Sequence, residues 1–63
     1  MKPEIGKKYW FIEMTENHIK IYWTWWEDKY YDKFLFALGN FSFTRKGIEE
    51  KLRRIKKVLR KQL

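Results

Sequence analysis

Apolar and polar residues alternate with period two in the first half of the chain and with a period near 3.6 in the last third. From Lys7 to Thr15 the alternation sets Tyr9 and Phe11 on one face and Trp10, Ile12 and Met14 on the other. From His18 to Trp26 it sets Ile19, Ile21, Trp23 and Trp25 against His18, Lys20, Tyr22, Thr24 and Trp26, the second set reading as the wetter face. Glu16-Asn17 suits the intervening turn, because Asn tolerates positive φ. Residues 7–15 and 18–26 therefore predict an antiparallel hairpin, preceded by a lead-in over residues 1–6 that Pro3 and Gly6 keep irregular. The segment Glu27–Lys33 (EDKYYDK) reads as a polar loop, Phe34–Leu38 as a third short strand, and Gly39-Asn40 as a turn into an extended Phe41–Phe43.

Residues 44–62 predict a helix. Thr44 fits an N-cap whose hydroxyl accepts an orphan backbone N–H, with Phe43 and Ile48 at the two positions of a hydrophobic staple. Ile48, Leu52, Ile55 and Leu59 form one apolar stripe, widened by Val58 and Leu63. Glu49 to Arg53 and Glu50 to Arg54 are spaced as i,i+4 ion pairs, and Lys57, Arg60 and Lys61 suit the negative end of the helix dipole. Gly47 in the first turn is a poor helix former. The expected architecture is a single α+β domain over residues 1–63: a three-stranded antiparallel sheet in β-β-β-α order, with the amphipathic helix packed on one face.

Composition sharpens this outline. All thirteen aromatics lie between Tyr9 and Phe43. Residues 1–44 carry six Lys and six acidic side chains, whereas residues 45–63 carry nine Lys or Arg and two Glu, so the formal charge of +7 belongs to the C-terminal helix. With Ile48 at zero and about 100° per residue, Lys56, Arg60, Arg53, Lys57, Lys61 and Arg54 fall at about 80°, 120°, 140°, 180°, 220° and 240°, opposite the apolar stripe. Six cations on one side of a helix repel each other without counter-ions and attract polyanions, phosphates above all. The same six also suit a solvated face that keeps an aromatic-rich domain soluble. Binding to an anionic membrane surface is disfavoured, because the stripe is needed for the core.

The chain has no cysteine and one histidine, which removes disulfides, thiolate zinc sites and the common nucleophile–base pairs. His18 at a turn reads as an ordinary surface residue. Glu27, Asp28 and Asp32 lack the spacing of a calcium loop, and Gly39-Asn40 is not a phosphate loop. No enzyme, cofactor or metal site is expected. No apolar run approaches the ~20 residues of a membrane span, and the N-terminus lacks the apolar region of a signal peptide. Trp23 and Trp25 are expected in the core, whereas Trp26, Tyr22, Tyr30 and Tyr31 are expected to form an exposed patch. Such a patch serves either base stacking or protein anchoring. A chain below ~70 residues without a staple has a marginal core, so a homodimer that buries spare aromatics is a further expectation.

G-x-x-Y-W-x-I at Gly6–Ile12, a Trp closing the next strand (Trp25 or Trp26), Asp32, and G-N-x-x-x-T at Gly39–Thr44 before a charged helix form a pattern. Over about residues 6–60 it resembles a group of small phage- and prophage-encoded domains, whose pattern is roughly G-D-x-Y-Y-x-I, a Trp, then G-N-x-F-x-T-x-E-E-A. Lys7 stands where that family has Asp, Ser42 where it has Phe, and Lys46-Gly47 replace its first-turn Glu pair. The resemblance implies a ββ(β)α fold, a mobile-element origin and hence a host bacterial cytoplasm, and it lends no catalytic residues. Two functions follow as expectations. One is sequence-nonspecific binding of nucleic acid or a nucleoprotein through Arg53, Lys57, Arg60 and Lys61, flanked by Arg54 and Lys56. The other is an anti-CRISPR-like inhibitor that binds a host defence protein through Trp26, Tyr30, Tyr31 and the polar loop. A third expectation is a structural homodimer that assembles phage or nucleoid components.

Overall fold

The computed structural model describes residues 2–62; Met1 of the lead-in and Leu63 of the apolar stripe lie outside the described residues. The order is β1 (Lys8–Met14), β2 (Ile19–Trp25), α1 (Tyr30–Leu38) and α2 (Arg45–Gln62). The hairpin lies where the alternation places it, in an unbroken antiparallel register from Lys8↔Trp25 to Met14↔Ile19. Its turn is closed by the Thr15 N–H on the His18 carbonyl (2.9 Å), while Thr15 Oγ1 accepts from the N–H groups of Asn17 and His18. Gly6, at φ 92°, turns the lead-in so that its N–H reaches the Trp26 carbonyl at 2.8 Å.

The three-stranded sheet is not formed. Phe34–Leu38 is the second half of a helix, and the sheet has two strands. A five-residue apolar run fits either period, and the decision here comes from its ends. At the N-terminal end, Asp32 sits in the first turn and its Oδ2 accepts the backbone N–H of Lys29 (3.1 Å), the N-cap residue, and of Glu27 (2.9 Å). A carboxylate there satisfies orphan donors and meets the positive end of the dipole. At the other end Gly39 takes φ 77°, with its N–H on the Phe36 carbonyl and the Asn40 N–H on the Leu35 carbonyl. That is a Schellman ending, which a strand has no use for. The EDKYYDK segment is correspondingly a loop only as far as Lys29.

The core lies between the hairpin and α1. Tyr9, Phe11, Trp26, Leu35 and Phe41 form the buried cluster, with Phe36 against it. Tyr9 stacks on Phe41 (4.7 Å between centroids) and meets the edge of Trp26 (5.9 Å). Its hydroxyl donates to Asp32 Oδ1 at 2.5 Å. Helix α2 crosses the opposite face of β1, where Ile12 and Ile48 are buried and Arg45 lies over Trp10. Thr44 is its N-cap, its Oγ1 accepting the Gly47 N–H at 3.0 Å. Gly47 has a packing reason, since a Cβ there would collide with Ser42 Oγ. Phe43 turns edge-on to Phe41 (5.1 Å).

The middle of the outer edge of β1 is capped. Trp10 exchanges both backbone hydrogen bonds with Ser42 (2.7 and 3.0 Å). Two residues on, the Asn40 side-chain amide stands in for a peptide: Nδ2 donates to the Ile12 carbonyl and Oδ1 accepts the Ile12 N–H, both at 2.7 Å. Lys51 Nζ donates to the Gly39 carbonyl (2.6 Å), tying α2 to the end of α1.

Burial pushes the Asp32 carboxyl up, but the hydrogen bonds from Tyr9, Glu27 and Lys29 and the Lys29 charge outweigh it and hold it below the ordinary carboxylate value. Burial, followed by the bond to Asp32 and the charge behind it, pushes the Tyr9 hydroxyl well above its ordinary value. The two shifts set opposite pH limits. Stability from Asp32 is present above about pH 4 and is lost as pH falls through the depressed value; that from Tyr9 is present below about pH 10 and is lost above it. Asp32→Asn is expected to flatten the acid limb of a urea-monitored stability profile, and Tyr9→Phe the alkaline limb, each costing roughly 1–3 kcal/mol at neutral pH. Asn40→Ala strips both partners from Ile12 and is expected to cost roughly 2 kcal/mol in the same assay, with no rescue by Asn40→Asp, which cannot donate.

Candidate nucleic-acid interface

Eighteen residues of α2 span about 27 Å at 1.5 Å each, whereas the two shorter dimensions of the molecule are 22 and 19 Å. The helix stripe is buried at Ile48 and half-buried at Leu52 and Ile55, but Val58 and Leu59 remain 57% and 40% exposed. The expectation that the whole apolar edge is covered fails for these last two turns, because β1 ends before they begin.

Arg53, Arg54, Lys56, Lys57, Arg60 and Lys61 are all exposed. Among the described residues none of the six lies within ion-pair distance of a carboxylate. The expected pairs Glu49–Arg53 and Glu50–Arg54 are not made. Glu49 instead binds Arg45 at 3.2 Å, and Glu50 shares a shallow surface depression with Arg53, Arg54 and Lys57. Elsewhere, Glu27 pairs with Lys29 (3.4 Å), Asp28 with Lys2 (3.6 Å) and Glu13 with His18 (3.0 Å). Most acidic groups of the hairpin and α1 are thus occupied locally, and the helix keeps its charge.

The aromatic residues divide differently from expectation. Trp26, read as an exposed candidate, is 1% exposed in the middle of the core. Trp23 and Trp25, read as core, are 46% and 51% exposed. The reason is that each helix covers a different face. Helix α1 takes the face of Tyr9 and Phe11, to which Tyr22, Thr24 and Trp26 belong by register, while α2 covers the other face only over β1. Tyr31 packs edge-on to Phe11 (6.0 Å) and is half-exposed, and Tyr30 is 82% exposed and stacked on Phe34. Tyr22, Tyr30 and Tyr31 are thus exposed as expected, but Trp26 is not, so the four-residue patch is not assembled.

A different cluster is. Lys8 Nζ lies 4.8 Å from the Trp10 ring and 4.2 Å from the Trp23 ring, Trp23 meets Trp25 edge-to-face at 5.2 Å, and Arg45 lies over Trp10 at 5.6 Å. These cation–π contacts interleave positive charge with exposed indole on the sheet face that carries α2. The sequence signal for it is the alternation of Lys8 and Trp10 opposite Trp23 and Trp25, which becomes readable once the hairpin register is fixed. Among the described residues no cluster of three or more His, Cys, Asp or Glu is placed to hold a metal ion, and no helix is long and apolar enough to cross a membrane.

In variants retaining one tryptophan each, Trp26 is expected to emit at shorter wavelength and to resist acrylamide quenching, while Trp23 and Trp25 emit at longer wavelength and are quenched readily. No family model, curated protein or solved structure matches the chain.

Proposed function

We propose that this chain is a non-enzymatic accessory binding protein of a phage or mobile element. In the host bacterial cytoplasm it engages nucleic acid or a nucleoprotein through the exposed face of α2. The observation that carries this reading is the unneutralised charge of that face: six cations, none with an ion-pair partner among the described residues. Arg53, Lys57, Arg60 and Lys61 contact phosphates, and Arg54 and Lys56 flank them. Each contact releases a condensed counter-ion. Trp23 and Trp25 beside Lys8 offer unpaired bases a stacking surface, as single-strand binders do. Contacts to phosphate carry no sequence information, so binding is indifferent to sequence.

A second reading, an anti-CRISPR-like inhibitor that binds a host defence protein, is favoured by one feature of α1. Tyr30, Phe34 and Leu38 stand at i, i+4 and i+8 and are all exposed, forming an apolar ridge of the kind that anchors protein interfaces. Trp26 takes no part in it.

For duplex oligonucleotides of unrelated sequence, five neutralised phosphates give a slope of log K against log salt near −4.5. Replacing Arg53, Lys57, Arg60 and Lys61 together by Ala is expected to make the slope shallower by about 3.6. A mobility-shift titration checks both, and absence of any shift at low salt overturns the nucleic-acid reading. A host partner that survives nuclease treatment in a pull-down, and is lost on Tyr30→Ala/Phe34→Ala, supports the inhibitor reading instead.

A further inference from the structure

The two margins of the hairpin differ. On β1 the outward-facing backbone groups of Trp10 and Ile12 are paired with Ser42 and with the Asn40 amide. On β2 the residues opposite Glu13, Phe11 and Tyr9 are Lys20, Tyr22 and Thr24, which spend their backbone groups on β1. The N–H and C=O groups of Ile19, Ile21, Trp23 and Trp25 therefore point away from the sheet, and among the described residues no strand or bridge meets them. Natural edges are protected by shortness, by lysines and other charges, by proline, by a bulge or by a covering element. Strand β2 has only one of these, a single lysine. Its register is unbroken, it contains no proline, its one charged residue is Lys20, and α2 lies over β1 instead.

We infer that the open edge of β2 pairs antiparallel with β2 of a second copy, centred on Tyr22, to give a four-stranded sheet. The strand is complementary to itself about that residue. Ile19 comes opposite Trp25 of the other copy and Ile21 opposite Trp23, so a β-branched side chain meets an aromatic one at each hydrogen-bonded pair, while Tyr22 meets its own copy. Lys20 comes opposite Thr24, so no like charges face each other across the junction. This register joins all seven residues of each strand, and any shift shortens the overlap. The surface area agrees. The chain exposes 5314 Å², whereas a compact 8.0 kDa monomer exposes about 4,450 Å². Trp23 and Trp25 of β2 are among the large apolar side chains that this excess leaves in solvent. The two-fold axis stands perpendicular to the sheet, so both basic helices lie on the same face of the dimer.

The inference does not rest on nucleic-acid binding, and salt separates the two. Each copy carries +7, so screening favours the dimer as salt rises, whereas phosphate binding weakens. Sedimentation of the free protein over a wide concentration range is expected to show a monomer–dimer equilibrium that tightens at high salt. Ile21→Pro removes an outward N–H while leaving the β1 ladder intact, and is expected to leave the chain monomeric with an unchanged far-ultraviolet spectrum. Because the chain has no cysteine, single substitutions report the register. Tyr22→Cys places two Cα atoms about 4.5 Å apart across the axis and is expected to form an intermolecular disulfide under mild oxidation. Lys20→Cys places them about 14 Å apart, and is expected not to. A chain that stays monomeric throughout, or crosslinking that is equal at both positions, overturns the inference. So does a dimer that Ile21→Pro leaves intact and Leu59→Lys abolishes, since that dimer is held by α2.

Discussion

The hydrogen bond between the Tyr9 hydroxyl and the Asp32 carboxylate holds the parts of this molecule in relation to one another. Tyr9 is a strand residue whose ring is packed by Phe41 and Trp26, and Asp32 is the carboxylate that organises the first turn of α1. One contact thus fixes the helix start to the strand, and the Glu27 and Lys29 N–H groups fix the intervening loop to the same carboxylate. A buried carboxylate is tolerable only when its lone pairs are met by donors, and here three donors converge on it. A chain of this size has few apolar residues to spare, so a polar anchor that sets three segments at once does work that a larger core does by bulk.

How much of this is legible in the sequence depends on the length of each signal. The hairpin and α2 are long enough for their periods to be unambiguous, and Thr44 announces the start of α2 by its side chain. The nine residues of α1 are too short for that. Read at period two, Phe34, Phe36 and Leu38 make a strand face; read at 3.6, Asp32, Leu35 and Phe36 make a buried helix face. The information that decides between them is Asp32 at the third helical position and Gly39 after the last, two single residues that a polar-loop reading hides. The basic face of α2 is legible because cations at those spacings have no other place to go. The division of tryptophans is not, because it depends on which face of the hairpin each helix covers. One additional helix moves Trp26 inward and Trp23 and Trp25 outward.

The distribution of charge follows from the same architecture. Acidic side chains are concentrated in the hairpin and the loop before α1, where nearby lysines, His18 or the Asp32 network engage most of them. Helix α2 reaches past the end of β1, so its last turns carry cations on one side and uncovered Val58 and Leu59 on the other. A segment that is both charged and apolar at its tip remains chemically unsatisfied in the isolated chain. Its electrostatics favour polyanions, and its short apolar margin favours whatever lies behind them.

The Asn40 amide has a consequence beyond the stability of β1. By imitating a peptide unit it terminates hydrogen bonding on that flank as a chain stopper terminates a polymer. A ribbon with one such blunt flank has a single growing side. Joining two ribbons through it consumes both growing sides at once, and the product presents only blunt flanks. Association by the proposed route closes after one step, so the Ser42 and Asn40 contacts on the opposite border of the sheet would keep a strand rich in tryptophan and isoleucine from seeding fibrils.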